Sequence, residues 1–246
     1  MRLTRVYVPM TLETGAALEL PPEAASHVAK VLRARVGDSL ILFNGDGREV
    51  GAEIDSIRGS RVSASVGQAD LVDRESTLAV TLVQAVPRGD RMDFIVQKAT
   101  ELGVSRIVPT MSQRSVVRLD ARQGETKAAH WRAVAVSACE QCGRNRLPAV
   151  DEPRPLIDYL GAVSGAATRL VLEPDADDGS ARPEFSGDVE IAIGPEGGFA
   201  PDELEAFRIA GFLRMRLGPR ILRTETAAIA ALTWLQTQFG DMRQGS

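Results

Sequence analysis

The sequence predicts an α/β protein, a mainly parallel sheet domain preceded by a small amino-terminal β-barrel. Three observations carry that reading. Short strand-like runs crowd the first third of the chain, the pattern changes at Leu78 to alternating strands and helices, and the first strand after that change is a continuous apolar run.

In the first third, Val6-Tyr7-Val8 is a short extended run and Ser39-Leu40-Ile41-Leu42-Phe43 reads as a buried strand. Val50, Ala52 and Ile54 alternate with Gly51, Glu53 and Asp55, the period-two pattern of a half-exposed strand. Between these runs, Asn44-Gly45-Asp46-Gly47 supplies residues that tolerate positive φ, which predicts a hairpin. Arg61 to Val66 adds a strand after Gly59. Many short strands within about seventy residues suggest a small barrel. The polar stretch from Gly67 to Ser76 has no sustained periodicity, and the boundary is placed there, giving domains over 1–72 and 73–246.

Beyond the boundary, Leu78 to Val83 reads as a strand, and Met92 to Leu102 carries apolar residues at helical spacing. Gly103 closes that helix, and Val104 to Pro109 begins a second buried strand, completing a βαβ unit with an expected right-handed crossover. Lys127 to Cys142 reads as a helix, Arg169 to Leu172 and Val189 to Ile193 as strands, and 175–188 as an exposed loop. Pro201 suits a first helical turn, where Asp202 and Glu203 favour the positive end. Leu213 to Leu217 is a last strand and Thr224 to Gln238 a final helix.

Composition narrows the function classes. The chain of 246 residues has 29 Lys and Arg against 33 Asp and Glu, a net charge of −4 that excludes nucleic-acid binding by bulk charge but not by a local basic patch. With 44 % hydrophobic and 25 % charged residues, it has an ordinary globular composition, which argues against extensive disorder. Cys139 and Cys142 cannot build a disulfide framework, and a four-ligand zinc site would need both scattered histidines, His27 and His130. The Cys139-Glu140-Gln141-Cys142 pair follows helical residues Val134 and Val136, unlike redox motifs that follow a strand. No apolar run approaches the ~20 residues of a membrane helix, and the opening residues lead into a strand, so a cytoplasmic protein is expected.

Two segments carry the chemistry. Ile191-Ala192-Ile193-Gly194-Pro195-Glu196-Gly197-Gly198-Phe199 places glycines at a strand's carboxyl end, where open α/β sheets bind ligands. The alternative is a tight strand-to-helix turn. It lacks the dinucleotide and triphosphate glycine signatures. Leu217-Gly218-Pro219-Arg220-Ile221-Leu222-Arg223-Thr224-Glu225-Thr226-Ala227 likewise follows a strand and opens a helix. Thr224 is placed to cap that helix, whose exposed amides suit a carboxylate. The alternative for Arg220, Arg223 and Glu225 is a solvated charge cluster.

Together these segments resemble the RsmE family of SPOUT-class, S-adenosylmethionine-dependent RNA methyltransferases. The resemblance continues in order through Gln97-Lys98-Ala99-Thr100-Glu101-Leu102-Gly103-Val104, Glu140-Gln141-Cys142-Gly143-Arg144 and His27-Val28-Ala29-Lys30-Val31-Leu32-Arg33, covering nearly the whole chain. It implies a PUA-like RNA-binding barrel joined to a trefoil-knotted methyltransferase domain, a homodimer with its catalytic pocket near the subunit interface, and 16S ribosomal RNA of the small ribosomal subunit as partner. The implied reaction is methylation of uridine N3, at the family site U1498.

The resemblance also implies roles. S-adenosylmethionine binding falls on Leu172, Gly194, Pro195, Glu196, Gly197, Gly198, Leu217, Gly218, Ile221, Leu222, Arg223, Thr224 and Ala227. A sulfonium already activates its methyl group, so alignment and electrostatics are needed and no metal is expected. Uridine N3 must lose a proton, and an arginine would stabilise the anionic base while a carboxylate takes the proton. Arg223 and Glu225 are the first candidates, Arg144 and Glu140 the second. Phosphate contacts are expected from the locally basic amino-terminal region: Arg2, Arg5, His27, Lys30, Arg33 and Arg35. Two rivals stand beside this reading: a SPOUT methyltransferase acting on another RNA or base position, and a non-catalytic RNA-binding ribosome-assembly factor.

Overall fold

Strands β1 (Thr4–Tyr7), β2 (Ala17–Glu19), β3 (Ser39–Phe43), β4 (Arg48–Arg58) and β5 (Arg61–Leu71) form one sheet in the order β1-β3-β4-β5-β2. The structure, a computed structural model, describes residues 4–165, 167–176 and 187–243. In this first sheet only β1 and β3 run parallel; the other pairs are antiparallel. The four-residue loop Asn44–Gly47 joins β3 to β4 as a hairpin, with Gly45 and Gly47 at φ of 93° and 98°, values that glycine adopts without strain. Val50, Ala52 and Ile54 all face the core while Gly51, Glu53 and Asp55 face solvent. That core also takes Ala25 from helix α1 (Pro22–Ser26) and Val28 from the π-helical turn His27–Val31, two elements too short to show a period in sequence.

Gly67 to Leu71, expected as part of a linker, instead lengthens β5. Arg48, Glu49 and Val50 pair with Leu71, Asp70 and Ala69, so the backbone ladder holds a segment from which Ala69 alone packs partly on the core. Chain contacts divide the molecule into two compact units, the first comprising residues 1–75 together with 139–147. The 139–147 segment is held by polar contacts: Tyr7 N–H donates to Glu140 Oε1 (3.0 Å), Asn145 Nδ2 to the Val72 carbonyl (2.9 Å), and Arg144 Nη2 to Glu75 Oε2 (2.5 Å).

The second unit contains β6 (Val80–Ala85), α2 (Arg91–Glu101), β7 (Arg106–Met111), most of α3 (Ala121–Cys142), β8 (Ala149–Val150), β9 (Arg154–Pro155), α4 (Leu156–Ala162), β10 (Thr168–Leu172), β11 (Val189–Ile193), α5 (Pro201–Ile209), β12 (Leu213–Met215) and α6 (Thr224–Phe239). Its strands lie in the order β12-β10-β11-β6-β7-β8, with β9 beside β7, and every pair is parallel. Helix α3 begins six residues before its apolar period does, and β9 and α4 were not evident in the sequence pattern. Residues 177–186 of the expected loop lie outside the described residues.

Side chains alternate between two cores. Val80, Leu82, Ile107, Leu170, Ile191 and Ile193 pack against α2, α3 and α6; Val83, Ala85, Val108, Val171 and Ala192 pack against α4 and α5. Both faces are covered, which is why these strands read as continuous apolar runs. The chain leaves β6 toward β7 on one side and returns to β11 on the other, so the connections diverge between β6 and β11 and leave a crevice at their carboxyl ends.

Phe207 is fully buried, its ring 4.8 Å from Phe199 and 4.9 Å from Phe212. Phe207→Ala is expected to lower unfolding stability by about 3–5 kcal/mol in urea titrations. A loss below about 1 kcal/mol would contradict this packing assignment.

Candidate active site

A cavity of about 410 Å³ opens at the carboxyl ends of β10, β11 and β12, within the 300–1,000 Å³ range typical of small-molecule sites. Leu172, Glu173 and Pro174 line it beyond β10, and Ile193, Gly194, Pro195, Glu196 and Gly198 beyond β11. Arg216 and Leu217 follow β12, and the loop into α6 adds Arg220, Ile221, Leu222 and Arg223, then Thr224, Glu225 and Ala227. Arg91, from the first turn of α2, completes the wall.

The β11 loop turns back on itself, with Gly198 N–H donating to the Pro195 carbonyl (2.9 Å) and Gly198 at φ of 64°. A side chain at Gly194 would meet Gly198 Cα at 3.2 Å, a tight contact that glycine avoids where the two backbone segments approach closely. The loop is fixed to the rest of the sheet by a buried relay. Gln84 Nε2, at the end of β6, donates to Thr224 Oγ1 (3.0 Å), and that hydroxyl donates to the Gly194 carbonyl (2.7 Å). Thr224 is therefore not the expected cap. It is the first residue of α6, Arg223 precedes it without a side-chain cap, and the amino end of α6 keeps N–H groups available for an anionic ligand group.

Three carboxylates and four arginines line the cavity; Glu173 is ion-paired with Arg214, and the other two carboxylates lie near Arg91. Glu196 accepts from Arg88 N–H (3.1 Å) and from Arg91 Nη1. Burial raises its carboxyl, but its own backbone N–H, that of Arg88 and the Arg91 charge outweigh burial and hold it below the usual range. Glu225 Oε2 is buried without a hydrogen bond, with Arg91 Nε 3.8 Å away. Apolar walls come from Leu172, Ile193, Leu217 and Leu222. The residues therefore offer backbone-rich loops, a helix amino end, apolar faces and carboxylates, a donor set that fits S-adenosylmethionine: a carboxylate, a cationic centre and a flat base.

Of the expected binding residues, Gly197 and Gly218 share these loops but do not line the cavity. The Gly197 carbonyl accepts from Arg114 Nη1 (2.9 Å), and Gly218 turns the chain at φ of 70°. Arg223 and Glu225 line the wall; Arg144 and Glu140 do not, because both are engaged inside the first unit by Glu75 and by Tyr7 N–H. Arg91 was missed in the sequence. Its signal was Arg88-Gly89-Asp90-Arg91 just after β6, a strand-end position like those of the two recognised loops.

The expected basic face of the first unit loses one member. Arg5 is buried, paired with Glu49 (2.6 Å), bonded to Asn145 Oδ1 and stacked 4.9 Å above the Phe43 ring. Lys30, Arg33 and Arg35 are exposed and His27 is half-buried, while Arg2 lies outside the described residues. Cys139 and Cys142 are free thiols; hydrogen bonding to Cys142 and burial push the Cys139 thiol well up, away from nucleophilic chemistry. Among the described residues, no group of three His, Cys, Asp or Glu side chains is arranged to hold a metal ion, and no helix is long and apolar enough to cross a membrane.

Comparison with known proteins agrees with this architecture. A family model described as an RNA methyltransferase domain matches residues 74–236, and one described as an RNA methyltransferase PUA domain matches residues 20–66. Ribosomal RNA small subunit methyltransferase E of Buchnera aphidicola subsp. Schizaphis graminum is 34 % identical over 242 residues, covering 98 % of each chain. The same-named protein of Bacillus subtilis is 30 % identical over 248 residues, covering 96 % of this chain and 97 % of its own. Among solved structures, Lpg2936 of Legionella pneumophila, with its cofactor SAM bound, superposes with a TM-score of 0.93 at 40 % identity, covering 98 % of this chain and all of that one. Ribosomal RNA small subunit methyltransferase E of Neisseria gonorrhoeae, bound to S-adenosyl methionine, gives 0.89 at 37 % identity, covering 98 % and 99 %. Nearly full-length similarity, in the same order as the glycine loops and the amino-terminal sheet, shows that this chain belongs to the RsmE family of SPOUT RNA methyltransferases.

Proposed function

We propose that this protein methylates N3 of a uridine in 16S ribosomal RNA of the small ribosomal subunit, the family site U1498, using S-adenosylmethionine. The observation that carries the reading is the cavity whose two loops are joined through the Gln84–Thr224–Gly194 relay, in a fold shared over nearly its whole length with SAM-bound relatives. When bound, S-adenosylmethionine supplies a methyl group already activated by its sulfonium.

The chain's own residues then have separable tasks. Gly194 and Gly198 let main-chain groups approach the ligand, Leu172, Leu217 and Leu222 flank its apolar part, and the amino end of α6 takes its carboxylate. The target base must leave its stack to reach such a site. Arg223 stabilises negative charge on the uracil oxygens, and Glu225 Oε2, which has no hydrogen bond of its own, receives the N3 proton. To Arg144 and Glu140 we assign the holding of segment 139–147. His27, Lys30, Arg33 and Arg35 contact RNA phosphates. Residues 1–72 act as the PUA-like RNA-binding domain and 73–246 as the trefoil-knotted methyltransferase domain of a cytoplasmic homodimer.

Incubation with labelled S-adenosylmethionine and either small subunits or naked 16S rRNA, followed by nucleoside analysis, is expected to yield 3-methyluridine. A different methylated nucleoside selects the first rival, and RNA binding without transfer selects the second. Thr224→Val removes the hydroxyl of the relay at nearly constant volume. It leaves the Gly194 carbonyl unmatched and is expected to weaken cofactor binding by about 1–3 kcal/mol in calorimetry. Glu225→Gln is expected to lower kcat about 10²-fold at saturating cofactor with cofactor affinity changed less. In the first unit, the double substitution Lys30→Glu and Arg33→Glu should flatten the dependence of log RNA affinity on log salt by roughly 1–2 in slope.

A further inference from the structure

Arg91 stands where helix physics does not want it. It is the first residue of α2, and a cation at a helix amino end opposes the macrodipole. The Asp90 side chain makes no capping bond there, and the first-turn acid Asp93 is engaged by His130 Nε2 (2.7 Å) and Trp131 Nε1 (3.1 Å). Helix stability therefore does not account for Arg91.

Its partners do. Nη1 bonds Glu196 Oε1, the oxygen that also accepts from Arg88 N–H, so one carboxylate ties the β11 loop to the segment entering α2. Nε lies 3.8 Å from Glu225 Oε2, beyond hydrogen-bond reach. The side chains of Arg91 and Glu196 are 41 % and 35 % exposed, and an ion pair so open to water contributes little to folding. Its effect is geometric. Of the three carboxylates in the cavity wall, Glu196 is held by three donors, including its own backbone N–H, Glu173 is ion-paired with Arg214 from β12, and Glu225 keeps an oxygen without a hydrogen bond.

We infer that Arg91 is a positioning residue: it draws Glu196, and with it the Gly194–Gly198 loop, onto the amino end of α2, and so leaves Glu225 as the carboxylate that faces the ligand. This rests on the methyltransferase reading, because the ligand in question is S-adenosylmethionine. It adds a division of labour between two residues that look equivalent in sequence. Glu196 acts through the loop, whereas Glu225 acts on what the cavity holds.

The test compares wild type, Arg91→Ala, Arg91→Lys, Glu196→Gln and the Arg91→Ala/Glu196→Gln double variant. Hydrogen–deuterium exchange of the Gly198 amide, bonded to the Pro195 carbonyl, reads the loop in ligand-free protein. Calorimetry reads the Kd for S-adenosylmethionine. Arg91→Ala is expected to accelerate Gly198 exchange and weaken binding roughly tenfold, with a thermal midpoint unchanged or raised, since alanine suits the helix and removes the opposed charge. Glu196→Gln should do the same, the double variant should be no weaker than the worse single one, and Arg91→Lys should recover part of the loss. Unchanged Gly198 exchange in Arg91→Ala, or a double variant whose loss is the product of the two single losses, overturns the inference. Wild-type protein that takes up no S-adenosylmethionine overturns the functional reading instead, and the exchange comparison still judges Arg91.

Discussion

The binding region depends on one buried amide. Gln84 is the penultimate residue of β6, a strand with covered faces on both sides, where its neighbours Leu82 and Val83 place hydrocarbon. Burying an amide there is unfavourable unless it is bonded. Its Nε2 donates to the Ala85 carbonyl (2.9 Å) and to Thr224 Oγ1, and Thr224 passes the constraint to Gly194. Three segments far apart in the chain, the ends of β6 and β11 and the start of α6, are thereby set in mutual register at the point where the connections diverge. The relay adds a directional polar link between two loops that already leave one sheet and share one core.

The same chemistry has opposite outcomes at other positions. Arg5 and Arg91 are both arginines close to a strand or helix start, yet Arg5 is sealed beneath Glu49 and Asn145 while Arg91 remains at a cavity wall. Burial raises the Glu49 carboxyl, but bonds from Arg74, Arg5 and Asn145 outweigh it and hold the group below its usual range. This is a local polar cluster in which cations hold the fold of the first unit rather than offering themselves to an outside anion.

The sequence was most legible where burial is regular. Ser39–Phe43 and Val189–Ile193 have the ends the apolar pattern implies, because each run stops where its core stops. It was least legible where pairing replaces burial or where partners are remote. Gly67–Leu71 extends a strand mainly through backbone pairing, and α1 and α4 are shorter than two full heptads of pattern. The cavity loops were visible from their glycines and strand-end positions. The tasks of Thr224, Arg5 and Arg91 were not, because each depends on a partner brought near only by folding: Gly194, Asn145 and Glu196.

The attachment of residues 139–147 to the first unit makes that unit discontinuous in sequence. Cutting the chain after Glu75 would remove Asn145 from Arg5 and Arg144 from Glu75, taking a partner from each of these charged side chains. The amino-terminal module is therefore not a portable cassette. Recombination that exchanged it between relatives would have to carry the distant Glu140–Asn145 stretch along with it, which binds the inheritance of both halves of the gene.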